Sequence, residues 1–345
     1  MGHEPFRSGA GVVDRSDRTK LHFTGEQAFW FIDQLLTNKL DEMEAGTGAE
    51  SLLLTPNGRT IAWFRVLASG SSAFADCDPG QGPMLTEFFR GRVFTTKVEI
   101  ADRTGDFGII TILGPRADQV TTKVLSELAS KETPEQRGLG LTMPGDDEHA
   151  TTHFGASVAV RVLRPVRGVD LWVTRDRVDE VIDRLQAAGG EVVGVPSYND
   201  LCVVEGLPRF GIDFDDKYLP QEAALERTVH FAKGCYLGQE AVAMTQRGRV
   251  KRRLRHLTFE TDPATGPITF QGEPAGTATS AAAEDGAAFG IGAVSTSVPL
   301  GAIVEVSSGE EPRARAEVHE LPGTLEGPSV PSARELRERL QGGTT

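Results

Sequence analysis

The chain is poor in cysteine. Its 345 residues hold three, Cys77, Cys202 and Cys235, widely separated and odd in number. No C-x-x-C pair or Cys/His cluster accompanies them, so neither a disulfide framework nor a self-contained zinc or iron–sulfur site is indicated. That fits a reducing compartment. No apolar run approaches the roughly 20 residues a membrane-spanning helix needs. Residues 1–18 are polar and lack the apolar core of a signal peptide, so a cytoplasmic protein with no membrane contact is expected. Positive charge is also short. A net charge of −13 argues against broad binding to nucleic acid or anionic membranes. There is no G-x-x-x-x-G-K-[ST], no G-x-G-x-x-G opening a helix and no H-E-x-x-H. The seven histidines are scattered away from ligand spacing, so no metal is expected.

What is present is ordinary globular material, 39% hydrophobic and 25% charged, long enough for two or three domains. Three segments repeat a strand–turn–helix pattern: residues 20–25 then 26–40, residues 107–113 then 116–128, and residues 169–173 then 175–188. Gly114-Pro115 opens the second helix and Gly189-Gly190 stops the third. Residues 51–54, 60–67, 72–75, 93–100 and 157–163 read as further strands, the first two joined by the turn Pro56-Asn57-Gly58. Helices separated by hairpins predict an α+β fold with ferredoxin-like, split βαβ subdomains. Residues 132–150 read as a polar surface loop or crossing. For residues 197–205 a helix capped by Ser197 competes with a strand over 201–204. After residue 254, short apolar runs with frequent turn signals predict a small antiparallel barrel or sandwich, and residues 332–340 a short helix.

One stretch suits no packed element: Lys233-Gly234-Cys235-Tyr236-Leu237-Gly238-Gln239-Glu240. Glycine permits positive φ and close approach, and a lysine two residues from a cysteine can favour the reactive thiolate. A small buried thiol is the competing reading for Cys235, and the preferred one for Cys202, between Leu201 and Val203. Glu205, before Gly206, could accept paired N–H groups from a flat heterocycle, although a solvent-facing helix end explains its position more simply. Arg247, Arg249, Lys251, Arg252, Arg253 and Arg255 place six cations in nine residues. They suggest an anion site or, more simply, a solvated linker strand.

Taken together, residues 233–240 resemble the signature of the YgfZ family of folate-binding proteins, related to the glycine-cleavage T-protein, an aminomethyltransferase. The resemblance extends to Gly11-Val12-Val13-Asp14-Arg15-Ser16, Gln34-Leu35-Leu36-Thr37-Asn38, Glu205-Gly206-Leu207-Pro208, Leu219-Pro220-Gln221-Glu222-Ala223 and Arg252-Arg253-Leu254. It implies two ferredoxin-like domains and a C-terminal β-barrel around a central folate-binding hole. The T-protein-like region would cover residues 1–245, the barrel 246–325 and a tail 326–345. Tetrahydrofolate would be bound by Glu205 with Tyr236, Gln239 and Arg247, while Cys235, activated by Lys233, carries the chemistry. The implied role is support of iron–sulfur cluster assembly or repair and of cluster-dependent tRNA modification, with iron–sulfur enzymes or assembly proteins as partners. In the T-protein the hairpin matching residues 57–61 leads into a catalytic aspartate; here the chain reads Ala62-Trp63-Phe64, and none of these can exchange a proton. Met244 stands at a usual arginine position. A folate-dependent aminomethyltransferase or demethylase is the alternative, and an RNA-contacting protein the third reading.

Overall fold

Alternating apolar residues become strands where a partner strand lies within reach, and amphipathic segments become the helices laid over them. The computed structural model describes residues 3–130, 143–154, 157–247, 250–309 and 314–322, the side chains of 129–130, 154 and 245–247 excepted. Its elements run α1 (Glu4–Ser8), β1 (Gly11–Asp14), β2 (Thr19–Thr24), α2 (Ala28–Asp33), β3 (Gly48–Leu54), β4 (Thr60–Ser69), β5 (Ser72–Cys77), α3 (Gly82–Arg90) and β6 (Glu99–Asp102). Then follow β7 (Phe107–Leu113), α4 (Ala117–Ser130), β8 (Thr151–Phe154), β9 (Ser157–Val162), β10 (Gly168–Thr174), α5 (Val178–Ala187), β11 (Glu191–Val192) and α6 (Val195–Val204). The last are α7 (Gln239–Arg247), β12 (Arg252–Phe259), β13 (Gly266–Phe270), β14 (Glu273–Glu284), β15 (Ala287–Ser295), β16 (Ile303–Val306) and β17 (Ala314–His319).

Two compact units interleave along the chain. The described residues of 1–53, 62–198 and 232–236 make the first, and those of 54–61, 199–231 and 237–345 the second. The first unit holds a six-stranded sheet in the order β11-β1-β7-β10-β9-β8 and a five-stranded sheet in the order β3-β4-β5-β2-β6. Both are consistent with ferredoxin-like domains. Helices α4 and α5 cover one face of the larger sheet, setting Val120, Val124, Val181 and Leu185 against Val12, Ile110, Ile112 and Leu171. From the opposite face Ile109, Val160 and Trp172 meet Leu67 and Phe74 of the smaller sheet. Phe74 and Trp172 pack edge to face with centroids 6.0 Å apart.

The second unit contains a closed, wholly antiparallel barrel in the order β12-β15-β14-β13-β16-β17. Leu257, Ile268, Val294, Val304, Val306 and Val318 fill it. A Cβ on Gly292 of β15 would lie 2.8 Å from Thr277 O, so β14 and β15 approach too closely there for a larger residue. The expected α+β class with a C-terminal barrel is therefore the one observed, and barrel closure leaves no edge strand.

Several local expectations are corrected. The helix read over residues 26–40 ends at Asp33. Beyond it Leu36 bridges Leu53, Thr37 Oγ1 accepts Leu52 N at 2.8 Å, and Asn38 Nδ2 donates to Glu50 O at 2.8 Å. These polar side chains offer the backbone partners outside a helix. Of the strand read over 93–100, β6 retains Glu99 and Ile100 and runs on to Asp102. Its pairing partner β2 ends at Thr24, and the chain turns at Gly25, φ +112°. The helix is the reading observed, but α6 runs from Val195 to Val204, so Ser197 is not its cap and Glu205 lies just beyond it. Residues 131–142, the tail over 326–345 and the short helix over 332–340 lie outside the described residues. The described end of the polar crossing is pinned by three arginines. Arg161 Nη1 and Nη2 donate to Asp118 and Nη2 also to Pro144 O. Arg164 pairs with Glu148 and Glu50, and Arg167 with Asp146.

Candidate functional site

The stretch 233–240 is divided between the two units, Lys233, Cys235 and Tyr236 in the first and Leu237 to Glu240 in the second. In the first unit Lys233 buries its side chain against the end of α2. Its Nζ donates to Asp33 O at 2.6 Å, Asp33 Oδ1 at 2.9 Å, Asn38 O at 2.7 Å and Leu36 O at 3.0 Å. An ammonium has three protons, so four oxygens already compete for them. Lys233 is thus held as an anchor: the cation is balanced by a carboxylate and by carbonyls at a helix C-terminus, where positive charge is favoured. Burial pulls the lysine pKa down, and the hydrogen bond to Asp33 opposes it.

Cys235 is exposed, whereas Cys77 and Cys202 are buried. Burial also pushes the Cys77 thiol up, which leaves it inert at the end of β5. Cys202 sits in α6 at 1% exposure, the core thiol its neighbours predict. Tyr236 is buried, its ring centroid 5.7 Å from Lys233 Nζ, and burial holds its phenol neutral with a pKa of about 12.

In the second unit Gly238 has φ +84°, and a Cβ there would meet Thr55 O at 2.6 Å and Gly58 Cα at 3.2 Å. Gly58, φ +74°, closes the Pro56-Asn57-Gly58 turn, its N–H donating to Thr55 O at 2.8 Å. The turn and the loop before α7 thus touch backbone to backbone, which explains why both carry glycine. Residues 217–222 brace this contact. Arg59 Nη1 donates to Lys217 O at 2.8 Å and Glu222 Oε2 at 3.0 Å, and Gln221 Nε2 to Val242 O of α7 at 3.1 Å. Gln239 is the first residue of α7, partly exposed; the side chain of Arg247, its last, lies outside the described residues.

Glu205 follows α6 and is partly exposed, and Gly206 turns the chain with φ +66°. At the start of β4, Thr60 to Phe64 present no ionisable group; Ala62 and Phe64 are buried. Three of the six cations of the basic stretch are paired within the second unit. Arg252 stacks on Tyr218 at 3.9 Å and lies 3.5 Å from Glu222. Arg253 pairs with Glu226 and Arg255 with Glu320. Asp33 had no sequence signal: an acid after an apolar helical stretch, 200 residues from its partner.

Residues 2–143 match the model of the GCVT N-terminal domain. A protein of Arabidopsis thaliana, named as a chloroplastic transferase, is 24% identical over 286 residues, 80% of this chain and 63% of its own length. The aminomethyltransferase of Corynebacterium jeikeium is 24% identical over 274 residues, 75% of this chain and 70% of its own. In three dimensions the chain is similar to aminomethyltransferase T of the glycine cleavage system from Bartonella henselae, with TM-score 0.79 and 17% identity, covering 92% of this chain and 87% of that one. Domain model, relatives and fold together support a relationship to the glycine-cleavage T-protein superfamily.

Proposed function

We propose that this chain is a tetrahydrofolate-binding accessory protein of YgfZ type, acting through Cys235 rather than by aminomethyl transfer. The observation that carries the reading is the exposed Cys235 thiol on a loop anchored through Lys233, in a chain whose other two thiols are buried. The T-protein-like fold supports folate binding. The residues present fit that ligand by their chemistry: Glu205, partly exposed at the end of α6, supplies a carboxylate acceptor for the paired N–H groups of a pterin. Gln239, in the same unit as Glu205, would add a polar contact. Residues 60–64 do not fit T-protein transfer, because they offer no carboxylate to position or deprotonate a folate amine. Bound folate would supply a one-carbon carrier; the chain's part is to hold it and to present the thiol. Support of iron–sulfur cluster assembly or repair, and of cluster-dependent tRNA modification in the cytoplasm, rests on the resemblance of residues 233–240.

Complementation by Cys235→Ser with folate binding measured in parallel tests this. Serine is nearly isosteric at an exposed site, so Tm should move by less than about 2 °C. Folate affinity should hold while rescue of a cluster-enzyme defect is lost. Full rescue by the variant would return Cys235 to a structural role. The relatives' names favour a second reading, a folate-dependent aminomethyltransferase or demethylase. Robust turnover with a glycine-derived or methylamine donor would establish it in place of the first.

A further inference from the structure

Residues 231–236 are held in an unusual way. They lie outside helix and strand, and Phe231, Ala232, Gly234 and Cys235 are exposed. A segment of that kind belongs to the easily opened end of a protein's local stability range. Its conformation nevertheless has one firm point, the Lys233 ammonium, whose side chain is 2% exposed and whose partner Asp33 is 7% exposed. Asp33 itself is fixed. It is the last residue of α2, and Oδ1 also accepts the N–H of Leu40 at 2.7 Å. One carboxylate oxygen therefore ties the chain leaving α2 to the segment that carries the thiol.

We propose that Asp33 is a positioning residue for Cys235, acting through Lys233 to set where the thiol is presented. Two residues of chain reach at most about 7 Å, so fixing Lys233 confines Cys235 to a small volume beside the end of α2. Gly234 between them adds the freedom that the anchor must offset. Neutralising Asp33 leaves the ammonium only carbonyl partners, and a buried cation that loses its counter-charge is strongly disfavoured. The loop then leaves its seat and the thiol moves with it. The functional meaning rests on the reading that Cys235 is the working group, but the test is chosen not to.

The full chain is compared with Asp33→Asn, which keeps an acceptor for Leu40 N–H, and with Lys233→Met, which keeps the apolar stem. Amide exchange over 231–236 and the rate at which iodoacetamide alkylates Cys235 at pH 8 are followed by mass spectrometry, with Tm alongside. In both variants exchange over 231–236 should accelerate at least about tenfold. Alkylation of Cys235 should change at least about threefold, and the double variant should go no further than the larger single one. An alkylation rate unchanged in both variants overturns the inference, whatever happens to Tm, because a role confined to stability would lower Tm and leave the thiol where it is. If Asp33→Asn does not fold, Lys233→Met alone decides, since it leaves the Asp33 to Leu40 bond in place. Rescue by Cys235→Ser would remove the functional reading while alkylation and exchange still decide whether Asp33 positions the loop.

Discussion

Asp76 is where two guanidinium groups of the first unit meet. Its Oδ1 accepts Arg18 Nε at 2.7 Å and its Oδ2 accepts Arg65 Nε at 2.7 Å, while Arg65 Nη1 reaches Asp170 of the other sheet at 2.6 Å. Burial alone would raise the Asp76 carboxyl, but Arg65 and Arg18 override it and hold its pKa at about 2. The folded value lies below the unfolded one, near 4. The stabilisation it carries is therefore complete above pH 4 and is lost as the pH falls towards 2. Replacing Asp76 by Asn should cost about 3 kcal/mol at pH 7, because two buried cations lose the carboxylate they share and keep only Asp170 and Asp78. Urea unfolding measures this, and a loss below about 1 kcal/mol would show the pair to be solvated. None of this network was readable in advance. Arg65, Asp76 and Asp170 sit on three strands and Arg18 on the turn before β2, and no local pattern joins them.

Among the elements, β12 carries the residue most exposed to an acid test. His256 Nε2–H donates to Val203 O at 3.0 Å, and the ring stacks on Phe289 with centroids 5.7 Å apart. Its Nδ1 is buried with no hydrogen-bond partner, so a second proton there would have nothing to bind. Burial first, with His319 opposite on β17 adding to it, lowers the pKa to about 4, although the bond to Val203 raises it. Stability from the neutral ring is complete above pH 6.5 and falls away down to pH 4, by about 3 kcal/mol. In His256→Phe, which keeps a stacking ring and cannot titrate, the slope of unfolding free energy between pH 6.5 and 4 should flatten; an unchanged slope would assign it to other groups. The strands of both units show what sequence can and cannot specify. β7 was read to the residue, because Phe107 to Leu113 is continuously apolar and closed by Gly114-Pro115. In the barrel, the apolar runs over 288–294 and 302–306 mark β15 and β16 nearly to their ends. β14 is not so marked, because Ala, Thr and Ser alternate along it and its order comes from β13 and β15. At the site, Cys235 stood out by its neighbours, whereas the anchoring of Lys233 depended on a turn of α2 that the helical pattern ran straight through.

On the scale of the whole molecule, the net charge of −13 and the basic stretch are reconciled by pairing. Arg252, Arg253 and Arg255 meet Glu222, Glu226 and Glu320, so these three cations of the run serve folding. No described helix is long and apolar enough to cross a membrane, and no described cluster of three or more His, Cys, Asp or Glu could hold a metal ion. The separation of the thiols has a consequence in an oxidising medium. With Cys77 and Cys202 sealed in cores, Cys235 has no thiol of its own chain to couple with. Its path to a cystine runs through a second molecule. Oxidised glutathione should therefore convert the native protein to a mixed disulfide and then to a covalent pair joined at Cys235, seen on non-reducing gels and reversed by dithiothreitol. Cys235→Ser should give neither product, and a cross-link that persisted in it would mean that a buried thiol opens on the timescale of the reaction. Redox poise, for this chain, is a question of encounter between copies.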